Sequence, residues 1–161
     1  MRQSKVGIFM KVLFVCLGNI CRSPTAEAVM QHVIRERGLP VETDSAGTAA
    51  WHVGKSPDSR SMAAAKRRGI DMSHLRARQV VEQDFHEFDF ILAMDAQNYR
   101  DLKAVQPESG RAKLSLFLHE YGDGQADEVP DPYYGGEDGF ELVLDLLQTA
   151  CDIFVAQEVV K

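Results

Sequence analysis

The sequence of 161 residues has little cysteine and no long hydrophobic run. Three cysteines, Cys16, Cys21 and Cys151, are too few, and odd in number, for a disulfide framework. No apolar stretch approaches the roughly 18 residues that a membrane span needs. The apolar run at 12–15 is also too short for the core of a secretory signal. We therefore expect a cytoplasmic protein whose thiols are either buried or reactive.

An excess of positive charge is also missing. The formal net charge is −6, and residues 111–161 alone carry 11 acidic against 3 basic side chains. This balance argues against nucleic acid or an anionic membrane as a partner, but it allows a small anion at a local positive site. We interpret the basic cluster as a solvated helix face rather than a guide for acidic peptides; it comprises Lys66, Arg67, Arg68, Arg76 and Arg78.

Apolar runs that alternate with amphipathic segments predict an α/β fold. We expect strands at 12–15, 41–45, 88–94 and 112–118, with helices at 24–37, 56–69 and 96–105 and a last helix after Gly139. This order predicts one domain, a four-stranded parallel sheet with helices on both faces. Residues 1–10 are predicted to be an N-terminal extension to a domain at 11–161, and the start, Met1 or Met10, stays open. The long connection at 119–138 is typical of a functional loop.

The loop between the first strand and the first helix has the strongest chemical pattern. The carboxyl end of a parallel strand and the N-terminus of a helix together form an anion site. A cysteine there is favoured as a thiolate, and an arginine can hold two oxygens of a phosphate group. Ser23 is the expected N-cap of the helix. The loop runs Cys16-Leu17-Gly18-Asn19-Ile20-Cys21-Arg22-Ser23, which indicates a phosphate-binding loop with a nucleophile.

This loop, continued by Pro24 and Ala26-Glu27, resembles the signature of the low-molecular-weight protein tyrosine phosphatases. Further segments match motifs of that family in order, namely Asp44-Ser45-Ala46-Gly47, Asp71-Met72-Ser73-His74, Ala77-Arg78-Gln79-Val80, Met94-Asp95 and Asp131-Pro132-Tyr133-Tyr134. The resemblance covers nearly the whole chain from about Lys11. It implies a phosphatase that hydrolyses phosphotyrosine in proteins without a metal or other cofactor. A tyrosine kinase is a candidate partner, and the oligomeric state stays open.

The resemblance also implies catalytic roles. Cys16 would attack phosphorus and become phosphocysteine, and Asp131 would protonate the leaving phenolate and later activate water. The phosphoryl oxygens would be bound by the side chain of Arg22 and by the backbone amides of the loop, those of Leu17, Gly18, Asn19, Ile20, Cys21 and Arg22.

Further residues would support the loop or shape the pocket, again by resemblance. The supporting hydrogen-bond network would comprise Asn19, Ser23, Ser45 and His74. An aromatic pocket too deep for phosphoserine would be lined by Trp51, Tyr133 and Tyr134, and the two tyrosines are also candidate phosphorylation targets. Cys21 would form a reversible disulfide with Cys16 under oxidation. Cys151 is predicted to pack in the core.

Several other functions share parts of this pattern. A thiol-dependent arsenate reductase would need further cysteines between Cys21 and Cys151, and there are none. Arginine phosphatases of the same family tend to have Thr at the position of Ile20, so phosphoarginine is the second substrate to consider. A phosphotyrosine-binding module without turnover is a third reading, although Cys16, Arg22 and Asp131 are all present. Two thiols alone cannot fill a zinc site.

Overall fold

Four strands of a computed structural model, which describes residues 9–132 and 136–160, form one parallel sheet in the order β2-β1-β3-β4. They are β1 (Met10–Cys16), β2 (Val41–Gly47), β3 (Phe90–Ala93) and β4 (Lys113–Leu116). Cys16 pairs with Gly47 on one side of β1, and Val15 pairs with Ala93 on the other. The carboxyl ends of three strands therefore meet at one edge.

Helices cover both faces of the sheet, which confirms the predicted fold class. Within the described residues they are α1 (Arg22–Arg37), α2 (Ser59–Lys66), α3 (Asp84–Glu87), α4 (Ala96–Val105), α5 (Phe117–Tyr121) and α6 (Glu137–Phe154), followed by a π-helical turn at Val155–Val159. Val12 and Phe14 bury one way, against α1, α5 and α6, while Leu13 and Val15 bury the other way, against α3 and α4. A strand covered on both faces has no polar side, which explains its wholly apolar run.

The first helix does not begin where the sequence predicts, but it ends where predicted. It begins at Arg22, Cys21 occupies the N-cap position without a side-chain hydrogen bond, and so the prediction of Ser23 as N-cap is wrong. The Ser23 hydroxyl instead faces the preceding loop, where it contacts Cys16 and Asn19. The predicted end is confirmed: Gly38 has φ 63° and its N–H donates to the carbonyl of Ile34. The second helix is shorter than predicted and starts after Asp58, whose side chain accepts from the amide of Arg60.

The segment predicted as a long loop contains helical structure at both of its ends. Strand β4 stops at Leu116, and α5 follows at once, because Phe117 and Tyr121 lie four residues apart and both bury aromatic rings. The Phe117 ring packs edge-on against Phe14, and the Tyr121 ring packs against Phe154. At the other end, α6 begins at Glu137 rather than after Gly139. In the described part of the chain no helix is long and apolar enough to cross a bilayer.

Candidate active site

The loop after β1 turns through a single strained residue, Asn19. Its φ is 59°, a left-handed value that no other described residue except glycine adopts. The side chain is buried and fully used: Oδ1 accepts from the amide of Arg78 at 3.0 Å, and Nδ2 donates to the hydroxyls of Ser23 at 2.8 Å and Ser45 at 3.0 Å. These three bonds offset the cost of the backbone conformation and hold the loop in one shape.

Cys16 lies at the bottom of this loop, only 3% exposed. Its Sγ is 3.0 Å from the Ser23 hydroxyl and 3.4 Å from the Ser23 amide, which donates to it. Because the Ser23 oxygen already accepts from Asn19, its proton is available to the sulfur; the carbonyl of Ala46, at 3.3 Å, is the alternative acceptor. The N-terminus of α1 adds positive potential at the same point. These contacts surround the sulfur with hydrogen-bond donors and positive potential, as the predicted role of Cys16 requires.

Arg22 is buried beside the sulfur and is held by acceptors on two other segments. Its Nη1 donates to Asp95 Oδ2 at 2.6 Å and to the carbonyl of Val129 at 3.2 Å. Burial acts to lower the pKa of Arg22, but the negative charges of Cys16 and Asp95 outweigh it and raise that pKa. The guanidinium is therefore charged and fixed in orientation before any ligand arrives.

Asp95 is a functional residue that sequence reasoning missed. Its Oδ1 accepts from the amide of Asn98 at 2.7 Å and caps α4, while its Oδ2 holds Arg22. In sequence, Asp95 and Asn98 form an ordinary capping box, which hides the second role. Two signals could have indicated it: the match of Met94-Asp95 to a motif of the family, and the position of Asp95 at the carboxyl end of a strand beside β1.

Asp131 joins Cys16 and Arg22 in one pocket of about 260 Å³. Its Oδ2 is 3.8 Å from Arg22 Nη2, and its side chain is partly exposed. The segment before it is anchored to the junction of β3 and α4, because the Val129 amide donates to the carbonyl of Met94 and Glu128 accepts from the amide of Ala96. The structure therefore brings the three predicted catalytic residues together.

Trp51 stands at the rim of the same pocket and is 70% exposed, whereas the predicted pocket residues Tyr133 and Tyr134 lie outside the described residues. His52 lines the pocket too, although the sequence did not single it out. A Cβ on Gly18 would come within 2.9 Å of the His52 ring, so a larger residue there would have to displace that side chain. The rim therefore includes an aromatic side chain.

His74 does not join the hydrogen-bond network in which it was predicted. It lies at the surface, with Nδ1 3.7 Å from Asp71. The network continues instead into Glu27 of α1, which is 5% exposed and accepts from the Ser45 hydroxyl at 2.7 Å. Burial raises the pKa of Glu27 to about 7, with a smaller contribution from Asp44, against the opposing effects of the Ser45 hydrogen bond and Arg78.

The two remaining cysteines are both buried. Burial, with the charge of Asp58, raises the pKa of Cys21 to about 12, so Cys21 is a neutral thiol beside Cys16. Cys151 is fully buried on α6, where the sequence placed it, and burial raises its pKa as well. No group of three or more His, Cys, Asp or Glu side chains is placed to hold a metal ion in residues 9–132 and 136–160.

The charges of the basic cluster are largely paired within the chain. Arg67 and Arg68 form ion pairs with Glu141, and Arg68 also contacts Asp145, which ties α2 to α6. The guanidinium of Arg78 is held by Asp44 and Asp84, directly behind Asn19. Arg67, Arg68 and Arg78 therefore hold parts of the fold together, and this weakens the idea that the basic cluster guides acidic peptides.

Comparison with known proteins gives one consistent result. The family model for low molecular weight phosphotyrosine protein phosphatase matches residues 11–161. The Schizosaccharomyces pombe protein named low molecular weight phosphotyrosine protein phosphatase is 50% identical over 133 residues, which cover 81% of this chain and 85% of that protein. A solved protein tyrosine phosphatase from Entamoeba histolytica has 46% identity and a TM-score of 0.87, over 92% of this chain and 96% of that one. A Drosophila arginine phosphatase has 36% identity and a TM-score of 0.86, over 91% and 96%.

Glu27 is predicted to make the stability of the fold depend on pH. Its pKa is about 7 in the folded chain against an ordinary 4.5, so Glu27 is protonated in both states below about pH 4.5 and has no effect on stability there. As pH rises from about 4.5 to 7, the unfolded chain loses this proton before the folded chain does, and the free energy of unfolding falls. Glu27→Gln, which resembles the protonated form, should gain on the order of 2–3 kcal/mol relative to wild type between about pH 4.5 and 8. Urea unfolding across this range measures the difference. Glu36→Gln, an exposed carboxylate on the same helix, is the control, and a pH-independent difference for Glu27→Gln would contradict the prediction.

Proposed function

The chain belongs to the low molecular weight phosphotyrosine protein phosphatase family and is a phosphatase, and we propose that it hydrolyses phosphotyrosine in proteins through a phosphocysteine on Cys16. The observation that carries the proposal is the shared pocket of Cys16, Arg22 and Asp131. A nucleophile, a fixed cation and a proton donor around one anion site are the parts that phosphoryl transfer requires.

In the first step, the thiolate of Cys16 attacks phosphorus from the floor of the pocket. The S–P bond forms while the P–O bond to the phenol breaks, and Asp131 gives its proton to the leaving oxygen. Arg22 and the amides of residues 17–22 bind the three remaining oxygens, whose charge is largest in the transition state. Arg22 needs little reorientation, because Asp95 and the Val129 carbonyl already hold one of its nitrogens.

In the second step, water hydrolyses the phosphocysteine. Asp131, now ionised, takes a proton from the water as its oxygen attacks phosphorus, and the S–P bond breaks to release phosphate. The leaving group is the thiolate of Cys16, which accepts a hydrogen bond from the Ser23 hydroxyl, whose oxygen lies 3.0 Å from the sulfur. The same contact therefore serves the nucleophile in the first step and the leaving group in the second.

The depth of the pocket supports a phenolic ester as the substrate. Cys16 is only 3% exposed, and the exposed Trp51 ring stands at the rim, an arrangement that favours a phosphoryl group on a long rigid phenol over a short serine ester. Phosphoarginine is the second candidate, since a Drosophila arginine phosphatase has a closely similar fold. Ile20, an apolar lining residue, favours the phenyl ring over a guanidinium group.

We propose phosphotyrosine proteins of the cytoplasm as the natural substrates, with a tyrosine kinase as a candidate partner. Net charge supports a protein rather than a nucleic acid or an anionic membrane, since acidic side chains outnumber basic ones by 24 to 18.

Replacement of the nucleophile is the first test. Cys16→Ser should abolish hydrolysis of p-nitrophenyl phosphate and of a phosphotyrosine peptide in the presence of a chelator and a reductant, because a serine hydroxyl is far less nucleophilic than a thiolate. Cys151→Ala, the matched control, should keep turnover. A phosphoarginine peptide assayed in parallel separates the two substrates. Wild type without turnover on any of them would leave only a phosphotyrosine-binding module.

Replacement of the general acid is the second test. Asp131→Asn should lower kcat by about 10²- to 10⁴-fold, and more for phenyl phosphate than for p-nitrophenyl phosphate, whose leaving group needs less help from a proton. The wild-type rate should peak at roughly pH 5–6.5, because Cys16 must be ionised while Asp131 is protonated. The variant should lose the fall on the basic side. Asp127→Asn, on the same segment, is the control; a wild-type optimum above about pH 8 would contradict the assignment.

Oxidation is the third test. We propose that peroxide converts the Cys16 thiolate to a sulfenic acid, and that the Cys21 thiol attacks this sulfur, releases water and forms a Cys16–Cys21 disulfide. Wild type treated with peroxide should then recover its activity in dithiothreitol, whereas Cys21→Ser should recover far less as Cys16 is oxidised further. Peptide mapping identifies the link. Oxidised wild type without that cross-link would overturn the proposal.

A further inference from the structure

A chain of buried hydrogen bonds connects Glu27 in α1 with the sulfur of Cys16. Glu27 Oε1 accepts from the Ser45 hydroxyl at 2.7 Å, and the Ser45 oxygen lies 3.0 Å from Asn19 Nδ2. Asn19 Nδ2 also lies 2.8 Å from the Ser23 hydroxyl, which is 3.0 Å from the sulfur. All five residues are less than one-tenth exposed. The chain of contacts is therefore continuous and shielded from water.

One backbone donor fixes the direction of the hydrogen bonds from Asn19 to the two serines. The amide of Arg78 can only donate, so the Asn19 atom that it contacts is the oxygen, and both hydrogens of Asn19 Nδ2 point to serine hydroxyls. Each serine oxygen is then an acceptor and must give its own proton elsewhere. The Ser45 proton goes to Glu27.

We propose that Glu27 is a positioning residue for the reaction. It accepts the hydrogen bond from the Ser45 hydroxyl, and so keeps the Ser45 oxygen as an acceptor for Asn19. Asn19 in turn keeps the Ser23 hydroxyl oriented to donate to the sulfur of Cys16. The inference deepens the proposed function and rests on its thiolate mechanism. Without an acceptor at Glu27, the Ser45 hydroxyl proton is buried without a hydrogen bond, which is costly. If the hydroxyl rotates to find another acceptor, its new orientation competes with the hydrogen bond that Asn19 donates to the Ser45 oxygen. A weakened Asn19 bond loosens the strained turn that presents Ser23 to the sulfur.

The surroundings of Glu27 support a role as acceptor rather than as a charge. Gln31 donates to Oε2 from the solvent side at 3.3 Å, which leaves Oε1 to Ser45. Asp44 and Arg78 are the nearby charged groups that act on Glu27, and they oppose one another. A carboxyl group accepts a hydrogen bond through its oxygen whether or not it is ionised. The chain of bonds is thus maintained on both sides of neutral pH.

The test compares variants that keep or lose the acceptor. Glu27→Met and Glu27→Ala lose it, whereas Glu27→Gln keeps an oxygen in the same shape. The readout is the pH profile for alkylation of Cys16 by iodoacetamide, which follows the thiolate directly. The midpoint should rise by about 0.5–1 pH unit in the Met and Ala variants, and stay within about 0.2 unit of wild type in the Gln variant. The Met and Ala variants should also lose about 3- to 10-fold in kcat with little change in KM.

Two further variants show whether Glu27 acts on Cys16 through the hydrogen bond to Ser45. Ser45→Ala should shift the alkylation midpoint in the same direction, and Glu27→Met combined with Ser45→Ala should shift it no further, because both act through one path. Gln31→Ala, which removes a bond to the other oxygen of Glu27, should leave the midpoint unchanged.

The proposal is overturned if a folded Met or Ala variant has the wild-type midpoint, if Gln shifts it as far as Met does, or if Ser45→Ala leaves it in place. Circular dichroism melting identifies the folded variants, and Ser45→Ala alone decides the matter where neither apolar variant folds. Alkylation needs no turnover. A wild type that hydrolyses no phosphotyrosine would therefore refute the proposed function, while the alkylation series would still test the role of Glu27.

Discussion

The burial of Cys16, whose proposed role requires negative charge on its sulfur, is the constraint on which the rest of the structure depends. Cys16 is 3% exposed, at the end of a strand that is covered on both faces. An uncompensated ion in such a place would simply take up a proton. The compensation comes from three directions: the N-terminus of α1, the Ser23 hydroxyl and amide, and the guanidinium of Arg22. Each requires the loop to curl tightly around the sulfur, and this is why one asparagine adopts a left-handed backbone.

The residues behind the loop show what that curl demands of the fold. Asn19 offsets its strain only because Arg78, Ser23 and Ser45 saturate its amide group. Ser45 in turn needs an acceptor, and the chain supplies it as a buried carboxyl group with a raised pKa. A buried glutamate is a poor choice for stability, since its ionisation opposes folding at neutral pH. Its presence is explained if the Ser45 hydroxyl must keep one orientation, as proposed above. Glu27 then lowers the stability of the fold but orders the groups around the Cys16 sulfur.

The sequence predicted those features that depend on local chemistry. The wholly apolar run of β1, the glycine that ends α1 and the cysteine and arginine spacing each have one good physical explanation, and each was found. The failures concern side chains with two roles. Ser23 resembles a helix cap but faces the sulfur, and Asp95 resembles a helix cap and is one, while it also holds Arg22. Glu27 and His74 show the same limit: burial decides which of them joins the network, and spacing along the chain does not encode it. Helix α5 was missed because β4 passes into it without a break.

The charges in the pocket explain why the proton on Asp131 matters beyond the leaving group. A thiolate at Cys16 and the carboxylate of Asp95 outnumber the single guanidinium of Arg22, so the group is already negative before a phosphate binds. Peptide amides and the helix dipole make anion binding favourable there, but their partial charges are limited. An ionised Asp131, whose Oδ2 lies 3.8 Å from Arg22, would add another negative charge and compete for the same cation. In the proposed mechanism, a protonated Asp131 would add none, would bind as a donor, and would become a carboxylate only as the phenol leaves. The proposed mechanism therefore demands the same protonation state of Asp131 for binding of the substrate and for protonation of its leaving group.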